Sequence, residues 1–147
     1  MNFATFDIVF QEVPGEITLS FTMTGCQLAC KGCHSSYLWN PKNGNELTDA
    51  ILVDTITRYA GLITTVLFLG GEWDEPRLIE LLCLCEQHSL HTALYTGLTD
   101  VSCALRQHLT YLKVGPWIAD LGGLNSPITN QTMIDLRTNE VLNHLFI

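Results

Sequence analysis

Cationic residues are scarce in this chain. Seven Lys and Arg stand against fifteen Asp and Glu among 147 residues, a net charge of -8. Nucleic-acid binding draws on Lys and Arg that displace counterions, so this balance argues against it. A basic helix lying on a membrane surface is disfavoured for the same reason. Charged residues of either sign make up only 15% and hydrophobic residues 47%, which excludes a disordered chain. No apolar run approaches the ~20 residues that span a bilayer. The first residues carry Asp7, Gln11 and Glu12 and no basic stretch, so no signal peptide is expected and the expected location is cytoplasmic. There is no linker, internal repeat or low-complexity tract. The length suits one domain, 1–147, and folding at that size buries roughly two thirds of the extended-chain surface. What the chain does have is six cysteines. In a reducing cytosol, spaced cysteines more often bind metal or do chemistry than form disulfides.

The local pattern predicts alternating elements. Phe3 to Phe10 and Ile17 to Phe21 read as strands around a Val13-Pro14-Gly15-Glu16 turn, a possible hairpin. Asn40 to Asn45 reads as a polar loop. Leu47 to Tyr59 has helical spacing, with Thr48 as its cap and Gly61 at its end. Thr64 to Leu69 is a β-branched and apolar run suited to a strand buried on both faces. A helix over Glu75 to His88 carries Pro76 in its first turn. Then come a strand at Thr92 to Tyr95, a short helix at Asp100 to Leu109, a strand at Tyr111 to Val114 and a last strand at Met133 to Arg137. This order predicts an α/β fold with a mainly parallel sheet. Four or five crossover units fit and eight do not, which excludes a complete TIM barrel. In such sheets ligands gather at the carboxyl ends of the strands. The first cysteines, Gly70-Gly71-Glu72, Thr96-Gly97 and Gly115-Pro116 all fall at those ends.

Cys26, Cys30 and Cys33 form a Cys-x3-Cys-x2-Cys segment directly after a strand. Thiolates on one short loop select an iron–sulfur cluster, zinc or copper(I). A closed zinc site needs a fourth ligand, and His34, adjacent to Cys33, is poorly placed to converge on the same ion. A cubane cluster held by three cysteines leaves one iron without a protein ligand, open to a small chelating molecule. The remaining cysteines, Cys83, Cys85 and Cys103, read as packing residues, since free Cys behaves as a small core side chain. Cys83 and Cys85 sit two apart on a helix and point to different sides. His88, His91, His108 and His144 read as isolated surface or satisfied side chains.

The three-cysteine segment resembles the cluster motif of the radical S-adenosylmethionine superfamily. Gly70-Gly71-Glu72 resembles that superfamily's Gly-Gly-Glu motif. Ser36-Tyr-Leu-Trp-Asn40 with Asn43-Gly44, Leu94-Tyr-Thr-Gly97, Gly115-Pro-Trp117 and Asn130-Gln131 follow the order of one small family within it, the activating proteins of anaerobic ribonucleoside-triphosphate reductase. The likeness runs from about Ile8 to Arg137. It implies a partial, open β/α barrel and an oxidoreductase that activates a partner enzyme. It implies a [4Fe-4S] cluster on Cys26, Cys30 and Cys33, with S-adenosylmethionine on the open iron. It places Gly32 and His34, either side of Cys33, against the adenosine moiety and Gly70, Gly71 and Glu72 at the methionine end, with Thr96 lining the same pocket. Reductive cleavage of the sulfonium would give a deoxyadenosyl radical, which takes a hydrogen from a glycine Cα of the reductase. Reduced flavodoxin or a similar donor is the implied electron source. The sequence departs from the family at Gly32, where many members have an aromatic residue, and at His34-Ser35, where the family has Tyr-Asn. Rival readings are an activase of another glycyl radical enzyme, a small-molecule radical enzyme such as a deazaguanine synthase, and a non-enzymatic zinc or iron–sulfur module.

Overall fold

A single turn sets the first pairing of the sheet. Pro14 presets φ, Gly15 takes φ +78°, and the Glu16 N–H donates to the Val13 carbonyl at 3.2 Å. The flanking strands β1 (Asn2–Val9) and β2 (Thr18–Met23) pair antiparallel, as the turn predicts. The computed structural model describes residues 1–26 and 36–146. It contains β3 (Asn45–Glu46), α1 (Asp49–Arg58), β4 (Thr65–Leu69), α2 (Glu75–Gln87), β5 (His91–Tyr95), α3 (Cys103–Arg106), β6 (Tyr111–Val114), β7 (Thr132–Asp135) and β8 (Glu140–Val141).

These strands form one sheet in the order β3-β1-β2-β4-β5-β6-β7-β8. It is a mixed sheet. The centre, β2-β4-β5-β6, is parallel, while β3-β1-β2 and β6-β7-β8 pair antiparallel. Among the described residues three crossovers join parallel neighbours: β2 to β4, β4 to β5 and β5 to β6. The antiparallel margin at the end of the chain follows from lengths. Too few residues separate β7 from β8 for a crossover, so β8 folds back on it.

Alternation along the central strands decides which side chains meet helices and which meet loops. Val66, Phe68, Leu94 and Leu112 pack with Leu52, Ile56, Leu78, Leu81, Leu82 and Cys85 of α1 and α2. Leu67, Ala93, Tyr111 and Met133 face the other way, under Val13, Leu124 and Leu142 from loops. Phe68 stacks on Phe21 with ring centroids 5.9 Å apart, at the centre of the helical layer. Helix ends follow their capping chemistry. Thr48 Oγ1 accepts the Ile51 N–H at 3.1 Å, and Ser102 Oγ accepts the Leu105 N–H at 3.1 Å.

Some boundaries differ from the sequence pattern. The helix expected over Asp100 to Leu109 is confined to Cys103–Arg106. Asp100 instead accepts the Val101 N–H at 2.8 Å and pairs with Arg106 at 2.7 Å, holding a turn. β3 and β8 each have only two residues, both exposed at sheet edges, so no apolar alternation marks them. Cys103 is exposed and Cys83 half-buried; of these three cysteines only Cys85 lies in the core.

Candidate functional site

The carboxyl ends of β2, β4 and β5 bring together Cys26, Glu72 and Thr96. Each arrives by a locally dictated route. After β2, Thr24 is buried and its hydroxyl donates to the Asn43 carbonyl at 2.9 Å. Gly25 then turns with φ +103°, and its N–H and that of Cys26 both donate to the Leu38 carbonyl, at 2.5 and 3.0 Å. The start of the cysteine loop is thereby tied to Ser36–Trp39, a 3-10 turn beyond it. Cys30, Gly32, Cys33 and His34 lie outside the described residues. Cys26 is a free, half-buried thiol on the wall of a cavity of about 170 Å³.

Gly70 and Gly71 end β4 with φ +97° and +107°. A Cβ on Gly70 would stand 2.5 Å from the Trp73 ring, and one on Gly25 would stand 2.8 Å from Trp73 Nε1. The indole therefore lies between two backbones that only glycine lets approach so closely. Gly71 has more room, since a Cβ there would come no nearer than 3.4 Å to Met1 Sδ. Gly70→Ala is therefore expected to lose more stability than Gly71→Ala. Both meet backbone strain of about 1–3 kcal/mol, and only the first also displaces Trp73. Urea denaturation of the two variants checks this order.

The glycine pair delivers Glu72 into the cavity. The Thr96 hydroxyl donates to Glu72 Oε1 at 2.7 Å and accepts the Leu98 N–H at 3.1 Å, which directs its proton at the carboxylate. Glu72 Oε2 is buried and has no hydrogen-bond partner. Burial raises the Glu72 pKa above the ordinary carboxylate value, against the pull of the Thr96 hydroxyl, a backbone N–H and the Lys113 charge. Lys113 lines the same cavity, with its ammonium 5.4 Å from the centre of the Tyr95 ring. Leu69, Tyr95 and Lys113 stand in register across β4, β5 and β6, on the loop-covered face.

Tyr95 and Lys113 also border a second cavity of about 560 Å³, with Trp117 and Gln131 on its far wall. The Asn130 side-chain amide donates to the Pro116 carbonyl at 3.1 Å and that of Gln131 to the Gly115 carbonyl at 3.4 Å. Two separated sequence motifs, Gly115-Pro-Trp117 and Asn130-Gln131, are thus one structural unit beside the first cavity.

The residues present fit a cluster with an amino-acid ligand. A free thiol lines a strand-end cavity. Glu72 lines the same cavity, and its orphaned carboxylate oxygen offers the acceptor that an ammonium group requires. Of the predicted site residues, the structure brings Cys26, Gly70, Glu72 and Thr96 to this cavity, with Gly71 between Gly70 and Glu72. Sequence reasoning missed Lys113 and Trp73. The signal for Lys113 was alternation, which puts it on the face of Tyr95. The signal for Trp73 was its place next to Glu72.

Residues 14–114 match the family described as "4Fe-4S single cluster domain", and the chain belongs to that family. Its class is accordingly that of iron–sulfur proteins. A region of 90 residues is 36% identical to the pyruvate formate-lyase-activating enzyme of Clostridium pasteurianum, covering 57% of this chain and 37% of that relative. The chain thus aligns with little more than a third of the relative's length. No solved structure matches. Among the described residues no helix is long and apolar enough to cross a membrane.

Proposed function

We propose that residues 1–147 form a radical S-adenosylmethionine domain that activates a glycyl radical enzyme, with anaerobic ribonucleoside-triphosphate reductase as its target. The observation that carries this reading is the orphaned Oε2 of Glu72, a residue that lines the same cavity as Cys26. Cys26, Cys30 and Cys33 would hold the [4Fe-4S] cluster. When bound, it supplies the electron, taken from reduced flavodoxin or a similar donor, that cleaves S-adenosylmethionine and starts hydrogen abstraction from a glycine Cα.

The chain's own groups do the binding. Glu72 accepts from the ammonium of the methionine moiety, and Thr96 fixes the carboxylate by holding Oε1. Gly70 and Gly71 let that end of the ligand approach the backbone. Lys113 is the cation for the ligand's carboxylate side of the cavity. Gly32 and His34 would lie along the adenosine. The parallel strip β2-β4-β5-β6 supports reading the sheet as part of an open β/α barrel. A wide mouth suits a substrate that is a loop of a large protein, and the neighbouring cavity by Trp117 is where that loop would enter.

The experiment is anaerobic incubation of the reconstituted chain with S-adenosylmethionine, reductant and the reductase, read by electron paramagnetic resonance. A doublet glycyl signal on the reductase is expected. Deoxyadenosine without that signal keeps the chemistry and rejects the target. The pyruvate formate-lyase-activating relative favours one second reading, activation of a lyase of that kind. The same incubation with pyruvate formate-lyase in place of the reductase separates the two.

A further inference from the structure

Three side chains of different chemistry converge near the amino ends of the central strands, where His108 precedes β6. Cys83 and Glu86 are three residues apart on α2, and so share one face of it. His108 lies between α3 and the start of β6. Cys26, by contrast, follows the carboxyl end of β2, which runs parallel to β4, β5 and β6. His108 Nδ1 is 3.7 Å from Cys83 Sγ and 3.0 Å from Glu86 Oε1. All three donor atoms lie within 4.8 Å of one another.

The shared nitrogen is the informative detail. In a relay that activates a thiol nucleophile, base and orienting acid use opposite nitrogens of the ring. Here sulfur and carboxylate both face Nδ1. One proton on that nitrogen serves only one of them, whereas a cation serves all three. A zinc ion about 2.3 Å from sulfur and about 2.0–2.1 Å from nitrogen and oxygen, at tetrahedral angles, puts S and N about 3.5 Å apart and N and O about 3.3 Å apart. The two separations from Nδ1 need adjustments of only a few tenths of an ångström to match, and a rotation of the exposed Glu86 side chain sets the distance from its carboxylate to the sulfur, now within 4.8 Å.

The supports are firm. Cys83 and Glu86 flank the buried Cys85 on α2, whose Leu81 and Leu82 anchor it in the core. The His108 carbonyl accepts the Thr92 hydroxyl at 2.5 Å, and its N–H donates to the Leu105 carbonyl at 3.1 Å. Cys83 and His108 are half-buried while Glu86 is exposed, so the ion would keep a position open to water. One thiolate, one imidazole and one carboxylate form a borderline donor set. It suits zinc and disfavours magnesium and calcium, which prefer all-oxygen shells.

We propose that Cys83, Glu86 and His108 form a zinc site with three protein ligands and an open fourth position, separate from the cluster cysteines. Occupied, it ties α2 to the segment that leads into β6. It does not depend on the activase reading.

The test uses the full chain with its cluster reconstituted, dialysed against buffered zinc, with zinc and iron measured in the same sample. The wild type is expected to take up ~1 zinc per chain with iron unchanged, and its melting temperature should rise with zinc. Removing a direct ligand should weaken zinc binding by at least about a hundred-fold, more than the loss of an outer partner does. Cys83→Ser and His108→Gln should therefore lose the zinc and keep the iron, while Cys103→Ala, which removes a different thiol, keeps both. Equal zinc in the wild type and His108→Gln overturns the proposal, as does zinc uptake matched by iron loss or no uptake by the wild type. Should the two ligand variants fold poorly, Glu86→Gln decides at an exposed position. A diminished zinc-dependent rise in melting temperature supports the site, and an unchanged one overturns it.

Discussion

Cys26→Ala loses the cluster and with it all deoxyadenosine production. Three cysteines leave no spare ligand if, as proposed, the fourth iron is the one that binds the small molecule. The other described cysteines cannot substitute. Cys83 and Cys85 sit on α2 and Cys103 starts α3, and none of them lines the cavity that Cys26 and Glu72 share. Cys85 is buried in addition, and burial pushes its thiol up to about 12, far from the thiolate that iron requires. The fold around position 26 does not depend on the thiol. Thr24 and Gly25 are held by the Asn43 and Leu38 carbonyls, and the Cys26 N–H that bonds Leu38 is backbone. The variant should therefore fold, with wild-type circular dichroism, yet hold less than about 1 iron per chain where the wild type holds ~4. Cys103→Ala, an exposed change, should keep full iron. A Cys26→Ala protein with the cluster and activity intact would remove the basis of the account.

Glu72→Gln keeps the iron and weakens S-adenosylmethionine binding. The substitution retains an oxygen for the Thr96 hydroxyl but removes the charge that meets the ammonium. Hydrogen bonds to charged groups contribute about 1.5–3 kcal/mol, or roughly ten- to a hundred-fold in affinity. The same variant should be more stable without ligand at neutral pH. Burial raises the Glu72 pKa, so the ionised carboxylate is tolerated less well in the folded chain than in the unfolded one. The stability that its protonated form contributes is complete below the ordinary value of 4.5 and is lost as pH rises through the higher folded value. Melting curves of the proteins without ligand should therefore show the Gln variant gaining on the wild type as pH rises above the ordinary carboxylate value of 4.5. Ligand affinity should move oppositely, because only the ionised wild-type carboxylate pairs with the ammonium. Equal affinities in the two proteins would show that Glu72 does not touch the ligand.

The chain exposes some of this plainly and hides the rest for physical reasons. Thr65–Leu69 is legible because a strand covered on both faces must be continuously apolar, and the glycines after it must turn. Helix α1 is legible because Thr48 caps it where the periodicity starts. The parallel centre follows from alternation of helices and strands and the β1–β2 hairpin from its turn, but the outermost strands β3 and β8 are exposed two-residue pairings with no pattern to read. Glu72 is visible beside its glycines. Its partnership with Thr96, 24 residues away, exists only once β4 and β5 pair in register. The Cys83–His108 approach is likewise made by packing, 25 residues apart, and no local spacing announces it. Cys103 reads as a packing residue because Val101, Ala104 and Leu105 surround it, yet α3 is too short to bury more than one face, and Leu105 takes it.

The central claim is a three-cysteine cluster that cleaves S-adenosylmethionine beside Glu72. It is tested most directly by anaerobic reconstitution followed by two assays on one sample: metal and sulfide content, and products formed with S-adenosylmethionine and reductant. The account predicts ~4 iron and ~4 sulfide per chain, with deoxyadenosine and methionine appearing in equal amounts. A chain that takes up only zinc at Cys26, Cys30 and Cys33, or a full cluster that forms no deoxyadenosine, would contradict it.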